Sequence, residues 1–380
     1  MKHRLLIILL ALANVLAACG KPEPQGEGVS AALRSPDFAG FERAYAPKPF
    51  SFPADHGPHR DYRDEWWYVT GNLDGPAGRR FGFQITFFRH GLKRGQPGRA
   101  SHWATHEVAM AHFALTDVAG QRYHSFQRMS RSALGLSDAN AAPLQVWLDD
   151  WRLDAAPDGG FPWHFTARQD GIGLSLDFDP RKPPALNGDQ GLSQKSAEPG
   201  NASYYYSITR MAAQGHVELH GQTLPVQGLA WLDREWSTSM LADYQAGWDW
   251  FALQLDDGTD LMYFHLRHKN GQDDPASSGT LTAADGSTQH LPYASVALQI
   301  LDYWHSPAGG QYPANWRLKR QPDGRLLDIR PVLADQEFRH DAHYWEGAVD
   351  VTDALTGKPA GRGYVELTGY APGRVEKSGE

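Results

Sequence analysis

From residue 50 onward the chain is cut into short apolar runs, each closed by glycine, proline, asparagine or aspartate. Trp67-Tyr-Val-Thr-Gly-Asn-Leu73 stops at Asp74-Gly75, Phe81-Gly-Phe-Gln-Ile-Thr-Phe-Phe88 follows, and similar runs stand at 112–116, 144–148 and 163–167. Runs this short, often alternating with a period of two, put successive side chains on opposite faces, as in a strand. Regular strand and turn spacing predicts an all-β sandwich or barrel. Only 35–45 and 237–244 carry helical periodicity, and both predict short helices. The side chains agree with a β-rich, aromatic-lined body: 13 Trp, 15 Tyr and 16 Phe accompany 39 Gly and 25 Pro.

An internal echo divides this body. Trp67 to Gly75 and Trp250 to Gly258 share an aromatic pair, an apolar strand and a terminal Asp-Gly, 183 positions apart. Each is followed by an apolar strand ending in arginine, Arg89 and Arg267. Asp-Gly between aromatic strands is a common hairpin signature. Read as a true repeat, it predicts two β-domains, 49–232 and 233–375, each large enough for an eight-stranded barrel that holds one small apolar ligand.

Upstream, Lys2 and Arg4 precede an apolar run of 14 residues, and Leu16-Ala-Ala-Cys-Gly20 follows. The run is shorter than the roughly 20 residues that cross a bilayer, and the order of parts is that of a signal peptide over 1–18. A cysteine directly after two small residues resembles the bacterial lipobox. Cys19 is then the expected lipid attachment, anchoring the protein through acyl chains to a membrane facing the periplasm, the outer membrane in particular. Residues 19–48, rich in Pro, Gly, Glu and Ser, predict a flexible tether, and 376–380 a tail. The chain has one cysteine and a net charge of −8, which exclude a disulfide scaffold, a cysteine zinc site, CxxC redox chemistry and nucleic acid as main partner.

No G-x-S-x-G, Walker A or G-x-G-x-x-G motif is present, so neither nucleotide nor cofactor is predicted. His102, His106, Glu107 and His112 cluster, but the segment runs into an apparent strand, where the metal-binding helix spacing fails; no metal is predicted, and the histidines are read as the polar lining of a barrel mouth. The sharper constellation is Gly228-Leu-Ala-Trp-Leu-Asp-Arg-Glu-Trp-Ser237. In extended form Trp231, Asp233 and Glu235 share one face, and Leu232, Arg234 and Trp236 the other. Two carboxylates two positions apart repel, which raises one pKa and produces a proton donor near neutral pH. Arg63-Asp-Glu-Trp-Trp-Tyr68 repeats the ingredients. The alternative is structural, with arginines and carboxylates paired at a barrel end and tryptophans plugging its base.

Asp64-Glu-Trp-Trp-Tyr-Val-Thr-Gly-Asn-Leu73, Ala111-His-Phe-Ala-Leu-Thr-Asp117, the 228–237 segment, and Tyr344-Trp-Glu-Gly-Ala-Val-Asp350 with Gly363-Tyr-Val-Glu-Leu-Thr-Gly-Tyr370 resemble the AttH family. That family is also described as secreted hydrolases and is related to bacterial carotenoid 1,2-hydratases and fungal kievitone hydratase. The four motifs occur in order over about residues 50–372. The resemblance implies two tandem lipocalin-like, calycin-type antiparallel barrels, each closed by a tryptophan-arginine pair, with Trp67, Trp250 and Arg362 as candidates. It implies a hydrophobic or isoprenoid-like ligand within or between the barrels. The implied chemistry is protonation of a double bond and capture of the cation by water, which needs no cofactor. Asp233 maps to the acid and Glu235 to its partner or a water-orienting base. Trp66, Trp67, Trp231 and Trp236 map to pocket walls, with Glu65, Arg234, His106 and His112 as further ligand contacts. A second reading from the same resemblance is a non-catalytic lipid carrier, or accessory lipoprotein, of an ABC-type export system.

Overall fold

The computed structural model describes residues 38–371 apart from 96, 97, 99, 239, 240 and 322. The segment read as a signal peptide, and Cys19, lie outside the described residues. From Phe38 onward the chain forms one body, built from strands and three short 3-10 turns.

The first sheet contains β1 (Asp64–Asp74), β2 (Arg80–Gly91), β3 (Glu107–Asp117), β4 (Arg122–Arg131), β5 (Ser137–Ala141), β6 (Leu144–Leu148) and β7 (Trp151–Asp154). It continues with β8 (Trp163–Gln169), β9 (Ile172–Pro180), β10 (Ala185–Leu186), β11 (Leu192–Gln194), β12 (Ala202–Leu219) and β13 (Gln222–Ser237). The second holds β14 (Gln245–Leu255), β15 (Asp260–His268), β16 (Ser278–Thr282), β17 (Thr288–Pro292) and β18 (Val296–His305). It ends with β19 (Gln311–Arg320), β20 (Leu326–Pro331), β21 (Glu337–Arg339), β22 (His343–Asp353) and β23 (Pro359–Leu367).

All pairings are antiparallel, and the strand orders match. The first sheet runs β4-β3-β2-β1-β13-β12-β9-β8-β7-β6-β5, and the second β17-β16-β15-β14-β23-β22-β20-β19-β18. In each, the first strand sits between the second and the last. Each sheet curls round its own core. Trp67, Phe83, Phe113, Trp151, Leu176 and Trp236 belong to the first core; Phe251, Leu261, Trp316, Trp345 and Val365 belong to the second. The predicted all-β architecture of two tandem barrel-like sheets is therefore what the chain adopts. A third apolar cluster, with Tyr68, Tyr205, Trp231, Trp250, Met262, Phe264 and Tyr364, lies between the sheets on their outer faces.

Several features differ from the sequence reading. Neither predicted helix forms among the described residues of 35–45 and 237–244; Ser237 instead pairs with Asp64 at the end of β13. The change of sheet lies between Ser237 and Gln245, whereas a boundary at 232/233 falls inside β13. Packing also begins before residue 49, in the segment read as tether: Ala44 is buried, the Ala46 carbonyl accepts from the Tyr204 hydroxyl, and Lys48 stands over the rings of Tyr204 and Trp236.

The echo is real at the level of strands but shifted in register. The hairpin ends that correspond are Asp74 opposite Arg80 and Gln254 opposite Asp260, which are 180 positions apart. The offset of 183 departs from that of the ladders by three, an odd number, which exchanges inner and outer faces. Trp67 accordingly points into its core and Trp250 points out of its own, into the layer between the sheets.

Candidate functional site

Strand β13 alternates as its sequence predicts. Leu232 and Trp236 fill the first core, while Trp231 belongs to the cluster between the sheets. Asp233, on the same face as Trp231, is 3% exposed. Its Oδ1 accepts from Trp231 Nε1 and Ser207 Oγ, both at 2.6 Å, and its Oδ2 from the Tyr205 hydroxyl at 2.5 Å. Ser207 and Tyr205 come from the adjacent β12, where Ser207 lies opposite Asp233. Burial, with Glu235 adding to it, pushes the Asp233 carboxyl up to about 7 against the pull of these three donors. Glu235 accepts from Ser203 and pairs with Lys195 at 3.0 Å. The two carboxylates thus share a face but have different surroundings, one enclosed by neutral donors and the other held by a cation.

The second sheet supplies the opposite wall. Trp250 Nε1 donates to the Tyr205 hydroxyl at 3.1 Å, and the Trp250 ring meets Tyr68 edge-on at 5.1 Å and Trp231 at 6.4 Å. Glu366 on β23 and Glu346 on β22 are paired in register. Glu366 accepts from Trp248 Nε1 at 3.1 Å. Burial, reinforced by Asp233 and Glu235, pushes it up to about 8. Glu346 accepts from the Tyr68 hydroxyl, and burial together with Glu366 raises it well above the usual carboxylate range. The layer reaches solvent on the side of Trp66, Trp248, Glu366 and Lys195, all partly exposed, and closes at Glu346.

This arrangement can donate protons at neutral pH inside an aromatic enclosure. Carboxylic acids kept protonated by burial are general-acid candidates, and indole faces stabilise a passing cation.

The other predicted site residues divide between this layer and the barrel end. Trp66 packs against the layer. His112 is buried there, with Nδ1 2.7 Å from the Tyr344 hydroxyl, and burial holds it neutral by lowering its pKa to about 3. Trp67 and Trp236, read as pocket walls, and Arg234 and Glu65, read as ligand contacts, instead lie together at the end of the first barrel. The Arg234 guanidinium lies 3.8 Å from the Trp67 ring centre and 2.7 Å from Glu65 Oε2, and it donates to the carbonyls of His56, Gly57 and Trp66. Burial alone would raise Glu65, but Arg89 and Arg234 hold it well below the usual range. The cause of the split is parity: these side chains point to the inner faces of β1 and β13. His106 pairs with the Gly95 carbonyl at 2.8 Å near the surface. In the second barrel the closing pair is Arg267 over Tyr370, at 3.7 Å, with Asp249. Arg362 binds Asp74 across the two sheets instead.

Glu346, Glu366, Tyr68, Tyr205, Tyr344, Tyr364 and Trp248 join the site only in the folded structure, and Trp250 stands in the layer between the sheets and not at a barrel end. A signal was present. Tyr344-x-Glu346 and Tyr364-x-Glu366 repeat on neighbouring strands the aromatic-acid alternation of Trp231-x-Asp233.

Two antiparallel sheets of matching strand order, joined over a buried layer of acids and aromatics, define a tandem calycin-like β-barrel protein. The AttH-like family model matches residues 43–370, and the chain belongs to that family. A crystal structure of an AttH protein from Nitrosomonas europaea is 37% identical, with a TM-score of 0.77, covering 86% of this chain and 100% of that one. Kievitone hydratase from Nectria haematococca has the same fold at 16% identity and a TM-score of 0.64, covering 86% of this chain and 95% of its own. CghA is similar at 14% identity and a TM-score of 0.51, over 86% and 96%. The fold is thus one that kievitone hydratase shares. No match is found among the curated proteins.

Proposed function

We propose that the chain binds a hydrophobic, isoprenoid-like molecule between its two sheets and adds water to a double bond of that molecule. Asp233 carries the reading: a carboxyl raised to about 7 with Trp231, Tyr205 and, through Tyr205, Trp250 around it. In the proposed cycle Asp233 gives its proton to one alkene carbon, and the positive charge forms on the other carbon beside the indoles. Water bonds to that carbon, and the proton it loses returns to the Asp233 carboxylate. Atoms balance as alkene plus water to alcohol. Tyr205 and Ser207 can donate to the ionised acid or accept from the protonated one, because a hydroxyl does both. Glu235, held by Ser203 and Lys195, orients the water in this cycle. The hydratase-like fold supports this reading.

The test incubates the full-length protein with lycopene and with farnesol and measures products heavier by one water. Turnover in the wild type that falls by about 10²–10⁴-fold in Asp233→Asn is the expected result. Undiminished turnover in Asp233→Asn would overturn the role of Asp233. Tight retention of lipid with no turnover in either protein would favour the carrier reading.

A further inference from the structure

Deeper between the sheets, away from the solvent-facing side, a second set of buried polar atoms is poorly satisfied. Thr70 Oγ1 on β1 and Gln84 Oε1 on β2 make no hydrogen bond within the described residues, while His112 Nε2 on β3, Glu346 Oε2 on β22 and Tyr364 Oη on β23 fall short of good hydrogen-bond geometry, with Gln127, Tyr344 and Thr116 as neighbours of their side chains. Each residue is at most 1% exposed. The facing strands that carry them meet around Tyr344, whose hydroxyl lies 2.7 Å from His112 Nδ1 and 3.2 Å from Gln84 Nε2. Glu346 acts electrostatically on Tyr68, Tyr344 and Tyr364 alike. Buried polar atoms in folded proteins are nearly all hydrogen-bonded, and each exception calls for an explanation. Five in one place, contributed by both sheets, point to a ligand group that completes them.

The surroundings decide its charge. Glu346 and Glu366, whose protons burial retains, give an anion entering here no positive charge to pair with. Arg339, the cation that acts electrostatically on neighbouring Tyr123, is taken by Asp335 and Glu337. Lys195, at the open side, is taken by Glu235. His112 is held neutral by burial. A cation would have to shed its water among mostly uncharged donors and acceptors, which is costly. Hydroxyls, an amide oxygen, an imidazole nitrogen and a carboxyl oxygen together match an oxygen that accepts from one partner and, as an alcohol, donates to another.

We infer that this closed end is a subsite for a neutral oxygen-bearing group, a hydroxyl or a carbonyl, carried by the apolar molecule that lies along the layer to Asp233. The inference rests on the proposed binding between the sheets and adds the preferred class of ligand: a neutral alcohol or ketone with an apolar chain, bound more tightly than a fatty acid, a phosphate ester or a bare hydrocarbon.

Three probes of one carbon skeleton separate these cases: farnesol, farnesene and farnesoic acid, titrated into the full-length protein at pH 7.5 by equilibrium dialysis. Farnesol binding at least tenfold tighter than farnesene, with farnesoate no tighter than farnesene, is the expected result. Tyr364→Phe and, independently, Thr70→Val should each reduce the preference for farnesol by threefold or more while leaving farnesene affinity unchanged. Thr70→Val removes a hydroxyl that has no partner among the described residues and Tyr364→Phe one whose hydrogen-bonding neighbour is Thr116, so loss of the fold is not the anticipated effect. Equal binding of farnesol and farnesene overturns the subsite while leaving an apolar site between the sheets, and so does a preference for farnesoate. Failure of all three to bind overturns both.

Discussion

At the scale of single residues, the same decapeptide serves two purposes. Trp231, Asp233 and Glu235 look outward to the second sheet, and Arg234 and Trp236 look inward to seal a barrel. Asp233 carries a prediction about stability. Its carboxyl moves from an ordinary 3.8 to about 7 in the fold, so between about pH 4 and pH 7 the folded chain holds a proton that the unfolded chain has released. Stability therefore falls as pH rises through that window, by a contribution on the order of 4 kcal/mol once the folded group ionises. Urea unfolding of Asp233→Asn from pH 4 to 8 should show a shallower decline than the wild type; parallel curves would contradict the assignment. Arg234 makes the opposite case. Removing it with Arg234→Met takes one of two guanidinium partners from the buried Glu65, leaving Arg89 and His59, and should cost about 3–5 kcal/mol, read by urea unfolding, with no change in ligand preference in the folded fraction. The parity of β13 was legible because one strand in extended form fixes its own faces. Whether Arg234 pairs with Asp233 or with Glu65 was not, since Glu65 lies 169 positions away on a neighbouring strand.

Elements decide what those residues meet. β13 is long enough to pair with β1 along one edge and β12 along the other, so its acids are bounded by Tyr68 on one side and by Ser207 and Tyr205 on the other. Gly228 near its start permits the first contact: a Cβ there would sit 2.0 Å from the Asn72 carbonyl oxygen, a backbone atom that cannot swing aside. Gly228→Ala should therefore destabilise the protein by about 1–3 kcal/mol, the usual cost of overpacking, measured as a lower urea midpoint at unchanged slope. The hairpin echo led to two similar sheets because turns and aromatic strands leave marks in a sequence. Its face assignment failed at Trp250, because the offset that aligns the letters differs by an odd number from the one that aligns the ladders. The Tyr-x-Glu pair of β22 and β23 has no legible role in the sequence, since nothing within those two strands says that their outer faces meet the first sheet.

At the scale of the whole molecule, the sheets are joined by small residues and by buried polar contacts. A Cβ on Gly82 would lie 2.6 Å from that of Ala348, so the strands approach closely there. Gln254 Nε2 donates across to the carbonyls of Thr209 and Ala230 at 2.8 and 3.0 Å. Lys182 from the first half binds Asp260 at 2.6 Å, where Arg210 also pairs. Lys182→Met removes a buried charge from this clasp and should cost about 3 kcal/mol, with calorimetry resolving two unfolding transitions where the wild type shows one; a single transition at unchanged temperature would mean that the clasp does not couple the halves. The matching strand orders also have a consequence for biosynthesis. β1 takes its second neighbour from β13, whose pairing residues begin more than 150 positions later, and β14 waits likewise for β23. A chain that emerges from its amino end must therefore keep an apolar edge unpaired until each half is complete. Such delayed long-range pairing slows folding and exposes strands to aggregation, so truncation inside β13 or β23 should leave a chain that depends on chaperones instead of a smaller stable barrel.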